Sequence, residues 1–196
     1  MLIITLMDKL SDQELIILFR QGEDKALGIL IKRYLTPVYR FLFRLTHDSS
    51  LAEDLTQETF LKTWKNLKRF DVSKSFKAWV FAIARNNCID NFRKNNASSI
   101  SHFEKDLLGG DSINSIEDNR PLANDILQNE EIAAYIDEGL KKIPQSARAV
   151  ILMHDTENLT FQEIADALKE PMNTVKSRYR RGIQLLRKLL TNYEKI

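Results

Sequence analysis

Residues 158–190 read NLTFQEIADALKEPMNTVKSRYRRGIQLLRKLL, and this stretch decides the fold. Thr160 is a natural N-cap, and Glu163, three residues on, can reach back to complete a capping box. Phe161, Ile164, Ala165 and Leu168 follow at helical spacing. Pro171 ends that helix, because it has no N–H to donate and biases Glu170 away from helical geometry. Asn173 or Thr174 then caps a second helix with Val175, Tyr179, Ile183, Leu186 and Leu190 as its apolar stripe. Lys176, Arg178, Arg180, Arg181, Arg187 and Lys188 lie on this helix, and no acidic residue falls between Thr174 and Lys188. Two short helices around a tight turn, the second one basic, suit a DNA major groove: the N-terminal turn offers free N–H groups to phosphates while side chains reach base edges. A solvated basic face on a core helix has the same composition, so the rest of the chain must decide.

Composition narrows the choices. At 196 residues the chain fits one domain or two small ones. A net charge of +2 excludes a polycation, so any nucleic-acid footprint is local. One cysteine, Cys88, precludes an internal disulfide and fits a reducing compartment. The apolar opening MLIITLM is short for a signal sequence and meets Asp8 at once, and no run has the length of a membrane span. The expected location is cytoplasmic.

Outward from the helix-turn-helix, the chain reads as helices throughout. Ser11 with Glu14 opens a short helix that ends at Gly22. A longer one spans about 24–45, with Pro37 expected to kink or split it. Ser50 with Glu53 is a capping-box pair for a helix to about Leu67, with Leu51, Leu55, Thr59 or Phe60, and Trp64 as its apolar face. A loop, residues 69–75, leads to a fourth helix over 76–95. Residues 97–124 hold Gly109-Gly110, Pro121 and many Ser and Asn, which is linker composition. Helical spacing resumes at 126–143, and Pro144 starts a further element through His154. The fold class is therefore all-α: a first helical domain over 8–96, a flexible acidic linker over 97–124, and a second helical domain over 125–193. Charge divides the same way, with 16 basic against 11 acidic residues in 1–97, 2 against 6 in 98–128, and 11 against 10 in 129–196.

The helix over 76–95 carries the other informative pattern. Phe76, Trp79, Val80, Ile83, Ala84 and Phe92 can face a core, while Lys77, Arg85, Asn86, Asn87, Asp90 and Arg93 fall mostly on the other side. Asn is a poor helix former, so a run of amides and guanidinium groups here suits base-edge contacts. Phe70 in the preceding loop either stacks on unpaired bases or packs on the helix.

AEDLTQETFLKTWKNLKRFD followed by SFKAWVFAIARNNCIDNFRK resembles the second domain of bacterial sigma factors, and IPQSARAVIL followed by LTFQEIADALKEPMNTVKSRYRRG resembles their fourth. With these two domains and a linker alone, the chain resembles the extracytoplasmic-function (ECF) class. The resemblance implies an alternative sigma factor, which binds core RNA polymerase and directs initiation by reading −35 and −10 promoter elements. It implies that Asp54, Gln57, Glu58 and Phe60 dock on the clamp-helix coiled coil of the polymerase. It places −10 reading and melting on Phe70, Lys74, Lys77, Arg85, Asn86, Asn87, Asp90 and Arg93. It places −35 reading on Asn173, Thr174, Lys176, Ser177, Arg178, Arg180 and Arg181, with the fourth domain also meeting the polymerase flap. An anti-sigma factor, often membrane-anchored, is the implied regulator.

The sequence departs from the family in the turn, where Lys169 stands in place of the usual Gly. A left-handed Lys169 costs about 1–2 kcal/mol; a different turn would tilt the reading helix. His47, His102 and His154 show no metal spacing with each other or with Cys88, no phosphate-binding glycine loop is present, and no cofactor or catalytic constellation is expected. Cys88 reads as a buried small apolar residue. The alternative function is a dimeric helix-turn-helix regulator whose N-terminal half senses a signal or dimerises.

Overall fold

The structure is a computed structural model that describes residues 7–95 and 130–191, with side chains described for 7–94 and 136–191. Among the described residues all regular structure is helical: α1 (Asp12–Arg20), α2 (Asp24–Thr46), α3 (Ser49–Leu67), α4 (Phe76–Asn95), α5 (Glu130–Lys141), α6 (Gln145–Ile151) continuing into a π-turn (Leu152–Thr156), α7 (Phe161–Leu168) and α8 (Met172–Thr191). The linker expected over 97–124 lies outside the described residues.

Local signals set most boundaries. The Ser11–Glu14 capping box forms in both directions, and Gly22 takes φ +101° just after α1. Helix α2 runs through Pro37 unbroken. The expected split does not occur, because apolar residues on both sides of Pro37, from Ala26 to Leu45, bury along one continuous stripe. His47, left-handed at φ 55°, ends α2 and turns the chain early enough for Asp48 to cap α3 by accepting from the Leu51 N–H at 3.0 Å. Asp48 therefore replaces the expected Ser50 cap.

Helices α1, α3 and α4 surround α2 in the first unit, with Phe41 set edge-on to Phe81 at 5.1 Å in its centre. Thr56, Thr59 and Thr63 are buried on α3, each returning its hydroxyl to the carbonyl four residues back at 2.6–2.8 Å. In the second unit α5, α6 and α7 all pack on α8. Gly182 permits a close crossing of α8 and α6, since a Cβ there would meet Ile151 Cδ1 at 2.8 Å and Ala147 Cβ at 3.2 Å. The helix-turn-helix forms as the sequence spells it. Thr160 and Glu163 close their capping box, and Lys169 adopts φ 56°, ψ 39°, so the left-handed alternative is the one realised. Helix α8 starts at Met172, with the Pro171 carbonyl accepting from Thr174 and Val175, so Asn173 and Thr174 sit in its first turn instead of capping it. The two units touch, α4 against α7 and α2 against α6.

Candidate nucleic-acid interface

The loop before α4 is tied down at both ends. The Arg20 guanidinium donates to the Phe70 carbonyl, and Asp71 accepts from the Ser73 N–H at 3.0 Å and hydroxyl at 2.8 Å. These bonds, with Lys74 beside it, hold the exposed Asp71 carboxyl below the usual carboxylate range. Ser75 caps α4 by accepting from the Ala78 N–H at 3.2 Å. This fixes the direction in which α4 leaves the loop, and hence which residues it presents.

Of the residues expected to read −10 DNA, Lys74, Asn86, Asp90 and Arg93 are exposed, and Lys77 and Arg85 are partly covered. Two are not at the surface. Phe70 is 7 % exposed, tilted on Trp79 with ring centres 4.6 Å apart and edge-on to Phe76 at 5.8 Å. It packs instead of projecting, and the half-buried Trp79 offers the aromatic surface of the cleft. Asn87 is 3 % exposed: its amide donates to Thr59 Oγ1 at 3.0 Å and its carbonyl accepts from Lys62 Nζ. It clasps α4 to the buried threonine ridge of α3, so its hydrogen-bonding capacity is spent inside the fold. Lys74, Trp79, Asn86 and Asp90 line the cleft of about 870 Å³ from the first unit, and Glu163 and Asp166 of α7 with Lys169 of the following turn line it from the second.

The expected −35 residues lie on the first turns of α8. Asn173, Ser177 and Arg180 are exposed, and Thr174, Lys176, Arg178 and Arg181 are partly covered. An aromatic brace sets the helix in place. His154 stacks on Phe161 at 4.1 Å, and Tyr179 meets both rings edge-on. The Tyr179 hydroxyl donates to Asp155 at 3.0 Å. Burial pushes the Asp155 carboxyl up, only partly opposed by the Tyr179 bond and the nearby His154. A second cleft, about 570 Å³, lies between α4 and α8, with Arg85, Asn86 and Arg93 on one side and Thr174, Arg178 and Arg181 on the other.

On α3, Asp54, Gln57 and Glu58 stand exposed on one face. Phe60, expected beside them, is buried at 8 % exposure, because its position on the helix points into the first unit. Leu61 and Trp64 are exposed there instead, so the expected placement of Trp64 in the core is also corrected. They were legible after all: positions 54, 57, 58, 61 and 64 follow helical spacing from the acidic residues. Cys88 is buried, with Gln145 Nε2 donating to its Sγ at 3.0 Å and burial pushing its thiol up to about 12. Among the described residues no three His, Cys, Asp or Glu side chains are arranged to hold a metal ion, and no helix is long and apolar enough to cross a membrane.

Residues 30–98 match Sigma-70 region 2, and residues 129–186 match Sigma-70 region 4. The RNA polymerase sigma factor SigM of Bacillus subtilis is 30% identical over 162 residues, covering 82% of this chain and 92% of the relative. The chain belongs to the ECF sigma factors of the sigma-70 family. SigW of Bacillus subtilis, also named an ECF sigma factor, is 28% identical over 174 residues, covering 87% of this chain and 92% of the relative. In solved structures this sigma factor's fold resembles that of RpoE of Bartonella quintana in complex with the anti-sigma factor NepR (TM-score 0.63, 22% identity, 85% of this chain and 98% of that one). It also resembles that of CnrH in complex with the cytosolic domain of CnrY (TM-score 0.65, 22% identity, 92% and 97%). The two units thus correspond to two regions of one family, in order, and the stand-alone regulator loses its support.

Proposed function

We propose that this sigma factor docks on core RNA polymerase in the cytoplasm through the exposed face of α3, with Asp54, Gln57 and Glu58 supplying charge and Leu61 and Trp64 supplying apolar area. It then directs initiation by engaging two promoter elements. The observation that carries this is the presence of two separately braced reading helices in one chain, α4 held by the Asn87 clasp and α8 held by the Tyr179–Asp155 brace. Helix α8 enters the −35 major groove with Asn173, Thr174, Lys176, Ser177, Arg178, Arg180 and Arg181 at bases and phosphates. Lys74, Lys77, Arg85, Asn86, Asp90 and Arg93 address the −10 element as it opens. Unstacking costs a few kcal/mol per step, and an extruded base stacked on Trp79 returns roughly 1–3 kcal/mol. The chain itself performs no covalent step; synthesis belongs to the polymerase.

The structural neighbour RpoE is bound to the anti-sigma factor NepR, which supports a regulator of the same kind here. The test is transcription from fragmented genomic DNA with purified core polymerase. Discrete start sites that appear only with the chain support the proposal, and none on any template defeats it.

A further inference from the structure

Helix α1 carries none of the residues assigned to DNA or to polymerase, yet one of its side chains reaches the loop before α4. The guanidinium of Arg20, the last residue of α1, donates to the Phe70 carbonyl and lies 3.5 Å from the Leu67 carbonyl. Leu67 ends α3, a position where the helix dipole favours a cation.

The guanidinium has a firm anchor. Leu15, Ile16 and Phe19 of α1 are buried, and the helix packs on α2. Asp12 accepts from Arg33 and from the Tyr34 hydroxyl, and Arg33 also donates to the Leu10 carbonyl at 2.9 Å. The Tyr34 ring stands edge-on to Phe76 at 5.4 Å, and Phe76 stands edge-on to Phe70 at 5.8 Å. Phe70 is therefore held twice, its ring by Phe76 and Trp79 and its peptide by Arg20. What Phe70 holds in turn is the cleft. Its ring backs Trp79, and its peptide opens the turn in which the Lys74 N–H donates to the Asp71 carbonyl at 3.0 Å. Phe70, Lys74 and Trp79 all line the cleft of about 870 Å³.

We propose that Arg20 is a positioning residue for the −10 element: it touches no DNA, and by pinning the Phe70 peptide it keeps the Trp79 face and the Lys74 loop set for an unpaired base before DNA arrives. A loop without that pin has to be ordered at the expense of the binding energy that opens the duplex. Arg20 is itself exposed, so Arg20→Ala opens no cavity and reports on the pin. This rests on the −10 assignment of α4 and its preceding loop made above.

The experiment compares full-length wild type, Arg20→Ala, Arg20→Lys and Lys25→Ala, the last an equal loss of charge at an exposed position on α2. Each is assembled with core polymerase and titrated on the strongest promoter recovered in the transcription test above, which separates half-saturation from the maximal rate of strand opening. Arg20→Ala is expected to lower the opening rate about tenfold, the scale of one hydrogen bond from a charged donor. Half-saturation and the slope of log affinity against log salt should not change. Arg20→Lys, which keeps a donor for one carbonyl, should fall between Ala and wild type, and Lys25→Ala should match wild type. Opening at the wild-type rate in Arg20→Ala overturns the proposal, and so does a salt slope reduced by about 1, the mark of a lost phosphate contact.

Hydrogen exchange in the free chain tests the pin directly. The bonded amides of Phe70, Ser73 and Lys74 should exchange about tenfold faster in Arg20→Ala, with the amides of α2 unchanged. Unchanged loop exchange overturns the proposal, as does acceleration throughout α2, which would make Arg20 a residue of general stability. A wild type that gives no promoter-specific transcript defeats the functional reading instead, and loop exchange still decides whether Arg20 pins Phe70.

Discussion

Helices α4 and α8 are each 20 residues long, and both carry arginines, lysines and asparagines, the residues proposed to meet DNA. They are built differently. Helix α8 buries one side, through Val175, Gly182 and Leu186, and leaves Asn173, Ser177 and Arg180 outward. Helix α4 is enclosed, packing on α2 and α3 along one flank and on α7 along another, so Ala78, Val80, Phe81, Ala82, Ala84 and Cys88 all disappear from the surface. A polar residue on a one-sided helix is available to a ligand. On an enclosed helix it must first satisfy the fold, and Asn87 does.

The largest effect that could break this comparison is at Phe81. Phe81→Ala empties the centre of the first unit and should cost about 3–5 kcal/mol, seen as an early transition in urea. Arg180→Ala on α8, at an exposed position, should stay within about 0.5 kcal/mol in the same assay. It should instead weaken DNA binding across sequences and reduce the slope of log affinity against log salt by about 1. If Arg180→Ala destabilised as much as Phe81→Ala, the difference between the helices would be wrong.

Asn86 and Asn87 sharpen it within a single turn. Asn87→Ala removes the two hydrogen bonds that tie α4 to Thr59 and Lys62 of α3, and should cost about 1–3 kcal/mol in thermal or urea unfolding. Asn86→Ala, at an exposed position, should leave stability within about 0.5 kcal/mol and reduce transcript yield from a −10-dependent promoter. The reverse pattern would return Asn87 to the DNA surface.

The same contrast explains what the sequence made legible. Both capping boxes, Ser11–Glu14 and Thr160–Glu163, and the Pro171 stop are local signals, and the helices start or stop where they say. Asp48 and Ser50 compete as caps two residues apart, and the winner depends on the left-handed turn at His47, which no local pattern announces. Phe60 and Trp64 exchange inside for outside because α3 buries three threonines whose hydroxyls bond back to the helix, so its inner face reads as polar. The Glu170 bridge to Arg85 joins residues remote in sequence, and no spacing rule points to it.

Lys169 tests the turn that aims α8. Its φ of 56° is in the left-handed region, where a side chain costs about 1–2 kcal/mol. Lys169→Gly should return about 1 kcal/mol of that, less what glycine loses in freedom on folding, and raise the melting temperature without altering helix content. A loss of stability would mean that the Lys169 side chain contributes more than its backbone costs.

The smallest effect concerns the seam between the units and depends on pH. His47 is held below the ordinary imidazole value of 6.5, first by burial and then by the charges of Arg148 and Lys141, with Asp137 and Glu138 opposing them. A depressed histidine favours the packed state only while neutral: its contribution is fully present above 6.5 and is lost as pH falls through the lowered value. Acidification from about pH 7 to about pH 5 should therefore loosen α2 from α6, read as expansion in scattering. His47→Gln, which cannot be protonated, should flatten that response in this range. An equal acid expansion in the variant would show that the imidazole is not the part of the interface that answers to protons.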